Sequence, residues 1–178
     1  MKTIRAVLVF LLLPAALSAR QPEPPRPRPS RVFSTGQLLQ DFTSTDLSGH
    51  RIQLQQLKGK IVVLNFWFIQ CTPCLREIPE LNKLAEDYAD TSQVVFLGIA
   101  LDRKTALDSF LQRTPVQYNI IPSGRPVAAL YKIYSYPTHV VLNREGRVIF
   151  HSTGYAAGTA YWLRKMIKSV LPQPTTKN

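Results

Sequence analysis

Two short apolar runs flank a segment with helical periodicity near the middle of the chain. Residues 61–67 (Ile-Val-Val-Leu-Asn-Phe-Trp) and 94–100 are almost continuously apolar and rich in β-branched residues. Such runs are typical of strands that are buried on both faces of a parallel sheet. Between them, the apolar positions of one predicted helix face are Cys74, Ile78, Leu81, Ala85 and Tyr88. The pattern therefore predicts a strand, a helix and a second strand in succession.

Weaker patterns on either side of this unit predict the remaining elements. Short alternating segments at 41–45 and 50–54 flank a Leu-Ser-Gly turn and predict an N-terminal hairpin. Apolar residues at helical spacing predict helices at 105–113, 126–133 and 157–170. A second hairpin is predicted from 138–142 through the turn at 143–146 to 147–150. This order predicts an α/β domain with a mixed central β-sheet flanked by helices and an N-terminal β-hairpin extension.

The two ends of the chain differ from this domain in composition. Residues 1–19 have a basic start, an apolar stretch and small residues up to Ala19, which is typical of a signal peptide; an uncleaved anchor is the alternative. Residues 20–31 are dense in proline and are predicted to be an extended linker or a tail left after processing. We therefore expect the folded domain over 32–172 and a short C-terminal tail over 173–178. Export would place the domain where disulfides persist.

The high net positive charge could indicate a nucleic-acid or membrane partner. Lysine and arginine total 22 against 11 acidic residues, a formal net charge of +11. Such a charge suits nucleic acid or an anionic membrane surface. The basic residues are scattered outside the proline-rich stretch, however, and the sequence contains no nucleic-acid-binding motif. We therefore predict no nucleic-acid partner.

The candidate chemistry lies at the start of the central helix. Cys71 and Cys74 are the only cysteines, and Thr72 and Pro73 separate them. A thiolate at a helix N-terminus is stabilised by unpaired N–H groups and by the helix dipole. We predict a redox dithiol in which an exposed Cys71 attacks a partner disulfide and Cys74, one turn inward, resolves the mixed disulfide. Structural zinc needs four ligands, so two cysteines alone do not favour a metal site.

Several stretches together resemble the thioredoxin fold and, more narrowly, the TlpA/ResA-like exported thiol–disulfide oxidoreductases. The supporting segments are 41–43, 46–49, 57–60, 65–67, the Cys-x-x-Cys motif with residues 74–81 (including Pro79), and 136–138. The resemblance runs from about Asp41 to the C-terminus. One departure stands immediately before the dithiol, where the family usually has an aromatic residue and this chain has Gln70. This departure bears on the choice of partner.

The resemblance implies roles for residues around the dithiol. Glu77 would take and give the proton during exchange, and the Tyr136–Pro137 bond would be cis beside Cys71. Asn65 stands where many thioredoxins carry a buried acid, so Glu77 would be the only proton acceptor. The positions expected to contact or shield the substrate are Trp67, Gln70, Thr72, Pro73 and Tyr136. The three histidines, including His139, have no metal-ligand spacing and are read as ordinary surface or strand-packed residues.

The expected function is that of an exported, monomeric thiol–disulfide oxidoreductase without a cofactor or a metal. It would reduce disulfides of specific client proteins in the periplasm or cell envelope, for example in cytochrome c maturation. Electrons would come from a membrane dithiol donor of the DsbD/CcdA type, and the N-terminus could attach the protein to the membrane. The alternatives on the same fold are a disulfide-forming oxidase or isomerase and a copper-site metallochaperone using His139. Fold-level resemblance alone does not choose among them.

Overall fold

A computed structural model describes residues 22–172. The predicted signal peptide, its anchor alternative and the C-terminal tail lie outside the described residues. The strands are β1 (Thr43–Thr45), β2 (Arg51–Gln53), β3 (Ile61–Trp67), β4 (Val94–Ala100), β5 (Asn119–Ile121), β6 (Thr138–Leu142) and β7 (Val148–Thr153). The helices are α1 (Thr72–Glu86), α2 (Lys104–Leu111), α3 (Arg125–Leu130) and α4 (Thr159–Val170), with a short 3-10 helix at Leu54–Leu57.

Five strands form the central sheet in the order β5-β4-β3-β6-β7. β3 pairs in parallel with β4 and antiparallel with β6, so the sheet is mixed. The strands β1 and β2 form a separate antiparallel pair before the sheet. The predicted fold class, a mixed sheet flanked by helices with an N-terminal β-hairpin, is confirmed.

The apolar run of β3 is buried on both faces because helices cover the sheet from both sides. Val62, Leu64 and Phe66 lie in one core cluster with residues of α3 and the N-terminal extension. Ile61 and Val63 lie in a second cluster with residues of α1 and α4. Successive side chains of a strand point to opposite faces, so Asn65 and Trp67 share the side of Ile61 and Val63. That face carries the first turns of α1, where the two cysteines lie.

The strand β5 is absent from the sequence prediction. Its three residues extend the parallel side of the sheet, pairing Gly98 with Ile120. Three residues are too few to show an alternating pattern, and Pro122 follows directly. Within residues 22–172, no helix is long and apolar enough to span a membrane.

The described part of the proline-rich stretch lies against the domain and does not stand away from it as a spacer. Its backbone extends along β7, where the N–H of Thr153 donates to the carbonyl of Arg28 at 2.9 Å. The indole N–H of Trp162 on α4 donates to the carbonyl of Pro24 at 3.1 Å. The guanidinium of Arg26 lies 5.3 Å from the ring centroid of Trp162, a cation–π contact. Extended proline-rich chain has free carbonyls that can accept such bonds.

The turn between β1 and β2 depends on Asp46, whose side chain is buried. Its carboxylate accepts backbone N–H bonds from Ser48 at 2.9 Å and His50 at 2.8 Å, and it contacts Nδ1 of His50 at 3.2 Å. Burial raises the pKa of Asp46, but the hydrogen bonds and the charge of His50, with the bond from Ser48, outweigh burial and lower the pKa below its usual value. The ionised carboxylate therefore stabilises the turn.

Replacing Asp46 by asparagine should lower the free energy of unfolding by about 1 kcal/mol at neutral pH, because the hydrogen bonds from Ser48 and His50 lose their charge assistance. A lowered folded-state pKa adds stability above the unfolded pKa of about 3.9, and this stability is lost as the pH falls through the folded value. The difference between Asp46→Asn and the wild type should therefore shrink in acid. Urea unfolding at several pH values measures this difference in the free energy of unfolding, and substitution of the exposed Asp90 (Asp90→Asn) is the control. A constant difference would contradict the ionic role.

Candidate active site

The dithiol lies where β3 passes into α1. Cys71 is the N-cap residue of α1, and its Sγ accepts a hydrogen bond from the backbone N–H of Cys74 at 3.3 Å. Pro73 occupies the first turn, where its missing N–H has no partner to lose. The preceding loop is fixed because the N–H of Ile69 donates to the Asp102 carboxylate at 2.7 Å. The sulfurs of Cys71 and Cys74 are joined in a disulfide. The predicted position of Cys71 at the helix N-terminus is confirmed.

The prediction that Cys71 is exposed is wrong for this disulfide form. Cys71 retains 4% of its exposed surface and Cys74 retains 1%. Both cysteines belong to an apolar cluster with Trp67 and Phe110, and Tyr136 packs against its edge. The apolar side chains of this cluster bury the sulfurs, which a position at the helix N-terminus alone would not do. The residues that adjoin the dithiol on the outside, Gln70, Thr72 and Pro73, are exposed.

The segment before β6 forms the other side of the site. The Tyr136–Pro137 peptide bond is cis. Tyr136 is half-buried, and its ring meets Phe68 edge to face with the centroids 5.4 Å apart. Its hydroxyl donates to the carbonyl of Ile133 at 3.1 Å, which fixes the ring. Burial, only partly offset by the charge of Arg125, raises the pKa of Tyr136, so its phenol stays protonated. Tyr136 packs against the cluster that holds both cysteines.

Trp67 is buried in the apolar cluster that holds the dithiol. It is 1% exposed and packs in the cluster of Cys71 and Cys74, with its ring 5.8 Å from that of Phe110. The placement therefore favours a core aromatic that supports the sulfurs over a direct substrate contact.

Glu77 is buried, although a glutamate in the first turns of a helix is often solvated. Its side chain is 3% exposed and lies one turn after Cys74 on the same helix. Oε1 of Glu77 lies 2.8 Å from Nε2 of His139 on β6, whose side chain has no exposed surface. The structure thus places a second titratable side chain, which the sequence did not predict, beside Glu77. Strand pairing explains the difference, because β6 runs beside β3 and presents His139 to the underside of α1.

Three further polar side chains complete this buried cluster. Nδ2 of Asn65 lies 3.0 Å from Nε2 of His139 and 3.4 Å from Oε1 of Glu77. The hydroxyl of Tyr118 donates to Oδ1 of Asn65 at 3.4 Å, and Oγ of Ser152 contacts Nδ1 of His139 at 3.4 Å. Burial first, and the charge of Glu77 second, raise the pKa of Tyr118, so the phenol remains neutral. Sequence analysis missed this cluster, although Asn65 is the single polar residue in the apolar run of β3.

The buried position of His139 bears on metal chemistry. Both of its ring nitrogens already face protein groups, Glu77 on one side and Ser152 on the other. Within residues 22–172, histidine, cysteine, aspartate and glutamate form no group of three or more that could hold a metal ion. The geometry gives no support to the metallochaperone alternative, which needs an accessible histidine.

Comparison with known proteins places the chain in a family. Residues 35–151 match the AhpC/TSA family. The thioredoxin-like protein YneN of Bacillus subtilis (strain 168) is 35% identical over 113 residues, which are 62% of this chain and 66% of YneN. The thiol-disulfide oxidoreductase ResA of the same organism is 32% identical over 124 residues, 68% of this chain and 69% of ResA.

A solved structure agrees with these relatives. A secreted disulfide oxidoreductase of Mycobacterium tuberculosis, homologous to E. coli DsbE, is 28% identical with a TM-score of 0.61. The comparison covers 72% of this chain and 95% of that one.

The fold and the dithiol define a thioredoxin-like protein, and the chain belongs to the AhpC/TSA family. The predicted resemblance to ResA-like proteins and the enzyme class, a thiol–disulfide oxidoreductase, are confirmed by these relatives. The chain spans about two thirds of the length of the curated relatives it matches, 66% of YneN and 69% of ResA.

Proposed function

We propose that this protein is an exported thiol–disulfide oxidoreductase that reduces disulfides of specific client proteins in the cell envelope. The observation that carries the proposal is the dithiol at the N-terminus of α1 beside the cis Tyr136–Pro137 bond. A dithiol held there can cycle between a disulfide and a reactive thiolate. Export is supported by the leader-like residues 1–19 and by the secreted relative from M. tuberculosis.

In the reductive half-cycle, the reduced Cys71 thiolate attacks one sulfur of a client disulfide. A bond forms between Sγ of Cys71 and that sulfur, and the other client sulfur leaves as a thiolate. Cys74 then loses its proton and attacks Sγ of Cys71. The second client thiolate leaves, and the Cys71–Cys74 disulfide forms, so two electrons have moved from the protein to the client. We assign Cys71 as the nucleophile, Cys74 as the resolving thiol and Glu77 as a group that takes up the Cys74 proton.

Client recognition is assigned to the exposed rim of the site. Gln70, Thr72 and Pro73 are exposed next to Cys71, and Tyr136 is half-buried on the opposite side. The backbone before Pro137 would pair with an extended client segment. Backbone pairing gives affinity without reading side chains, so selectivity would come from the rim, and Gln70 supplies a polar contact at a position where the family usually has an aromatic ring.

The donor that re-reduces the dithiol is proposed to be a membrane dithiol protein of the DsbD/CcdA type. A reductase in an oxidising compartment needs a continuous supply of electrons, because its disulfide is the stable form there. Cytochrome c maturation is one process that needs such a reductase. We further propose that the protein works as a monomer, with the N-terminus as its route of membrane attachment.

Capture of clients in the cell tests the proposal. The full chain carrying Cys74→Ser should accumulate mixed disulfides between Cys71 and its clients, because the resolving thiol is gone. Non-reducing gels followed by mass spectrometry should find the same few envelope proteins in each experiment. The matched control is Cys71→Ser with Cys74→Ser, which should capture none of them. Equal capture by both variants would contradict the proposed reaction.

A further inference from the structure

We infer that His139 and Glu77 act together as one proton-accepting pair in the exchange reaction, with His139 as the positioning residue that sets the protonation of Glu77. This inference rests on the proposed function and deepens it. The pair is joined by the 2.8 Å contact between Nε2 of His139 and Oε1 of Glu77, and the two side chains are 0% and 3% exposed.

Burial makes a lone carboxylate at Glu77 costly, which is why a partner matters. An isolated ionised carboxylate in an apolar interior is strongly disfavoured unless it is paired and hydrogen-bonded. A carboxylate at Glu77 beside a neutral imidazole at His139 would leave one negative charge on the pair in an apolar interior. Uptake of one proton makes the pair neutral overall, either as a carboxylic acid beside imidazole or as a carboxylate beside imidazolium. Transfer of one proton to the pair therefore removes a net charge from an apolar interior.

The hydrogen-bonding neighbours suit either position of the proton. Asn65 has an N–H within 3.0 Å of Nε2 of His139 and 3.4 Å of Oε1 of Glu77, so it can donate to whichever atom lacks a proton. The hydroxyl of Ser152, 3.4 Å from Nδ1, can rotate to donate or to accept. Tyr118 holds the amide of Asn65 from the other side. These neighbours therefore permit two protonation states of the pair with little movement.

The pair lies next to the thiol that must lose a proton. Cys74 and Glu77 are three residues apart on α1, a spacing that makes their side chains neighbours on one helix face. Oε2 of Glu77 is buried and has no hydrogen-bond partner among residues 22–172, so it is available as an acceptor. The proton of Cys74 passes to the pair while Sγ of Cys74 bonds to Sγ of Cys71. The Cys71–client bond breaks, and the electron pair leaves with the client thiolate.

Other titratable groups around the pair do not compete for this proton. Tyr118 approaches from the segment before β5, and burial keeps its phenol protonated. From β3 and β7 the contacting side chains are Asn65 and Ser152, which stay neutral. On α1 the neighbouring titratable group is Cys74 itself, whose proton is the one transferred.

The resolution step of the full-length protein tests the inference with glutathione disulfide as the probe. The reduced protein forms a mixed disulfide at Cys71, which Cys74 then resolves; acid quenching and mass spectrometry follow both species over a range of pH. His139→Gln keeps a hydrogen-bonding side chain but cannot hold the proton. We expect it to slow resolution at neutral pH by about 100-fold, the lower end of the usual contribution of acid–base catalysis, and to change the rate–pH profile.

Two further variants separate a shared role from independent ones. Glu77→Gln should slow resolution to a similar extent, and Glu77→Gln with His139→Gln should be no slower than either single variant, because the residues act as a unit. His151→Gln is the matched control: it replaces a half-buried histidine on β7 and should leave the rate and profile unchanged. A purely structural His139 would lower the melting temperature and leave the rate–pH profile of the folded variant unaltered.

Each outcome decides the inference separately from the proposed function. A wild-type profile in folded His139→Gln, or a double variant with multiplied effects, would overturn the pair. Slow resolution in Glu77→Gln alone would leave Glu77 acting without His139, with the reductase reaction intact.

If His139→Gln does not fold, the side-chain ¹⁵N resonances of His139 in the reduced wild type decide instead. Their chemical shifts should change over the same pH range as the resolution rate. Chemical shifts that stay constant over that range would overturn the inference. Failure of the wild type to reduce glutathione disulfide would count against the proposed function.

Discussion

Insulin reduction should be abolished in Cys71→Ser, with the rate falling to that of a protein-free control. A serine hydroxyl is not ionised at neutral pH, whereas a thiolate at this position is stabilised by the α1 N-terminus and by the N–H of Cys74. Cys74→Ser should also lose turnover, but for another reason. Its Cys71 still attacks once, and the product remains as a long-lived mixed disulfide.

The order of alkylation provides an independent check of these roles. In the reduced wild type, iodoacetamide should label Cys71 before Cys74, because Cys71 is the N-cap residue of α1, where a thiolate is stabilised, and Cys74 lies inside the helix. Peptide mapping after short reaction times measures this order. Faster labelling of Cys74 would reverse the assignment of nucleophile and resolving thiol. Circular dichroism of both serine variants controls for the loss of the disulfide.

The central part of the fold could be predicted from sequence because its signals are local. The apolar run of 61–67 is bounded by turn residues, and structure places β3 over the same residues. The dithiol could be located on a helix end for the same reason, since a strand leads directly into a helix-period pattern. The segment Asn119–Ile121 has no comparable signal. It becomes a strand only because β4 offers it a parallel edge.

The polar cluster behind the dithiol could not be predicted because it depends on long-range pairing. Glu77 and His139 are far apart in sequence, and they meet through the antiparallel register that places Asn65 opposite His139. A glutamate in the first turns of a helix is favoured by the dipole even in solvent, so its burial had no local signal. The local signal in the sequence was Asn65, a polar residue within the apolar run of β3, which needs a buried hydrogen-bond partner.

The contacts of the proline-rich stretch were also hidden in the sequence. Segments of this composition have no periodic apolar face, so they are read as linkers. Here the partners are supplied by the far end of the chain, through Trp162 and Lys165 on α4. The ammonium of Lys165 lies 2.6 Å from the carboxylate of Glu23. Docking therefore depends on α4, which lies more than 100 residues further along the chain.

We propose that electrons flow from the dithiol to its clients, and the surroundings of the sulfurs support this proposal. Strong stabilisation of the reduced form makes a dithiol an oxidant, and 1.4 kcal/mol corresponds to about 30 mV for two electrons. Thr72 and Pro73 bring no cation between the cysteines. Within the described part of the chain, Sγ of Cys71 accepts one backbone N–H, and the nearby Glu77 is acidic. The thiolate is therefore stabilised mainly by the helix end.

Equilibration of the purified protein with glutathione redox buffers measures its reduction potential and tests this claim most directly. The fraction of Cys71–Cys74 disulfide is read by alkylation and mass spectrometry at each buffer ratio. With stabilisation from the helix end alone, the potential should lie below roughly −200 mV, nearer to thioredoxin than to DsbA. A potential close to about −120 mV would contradict the reductase and favour the disulfide-forming oxidase.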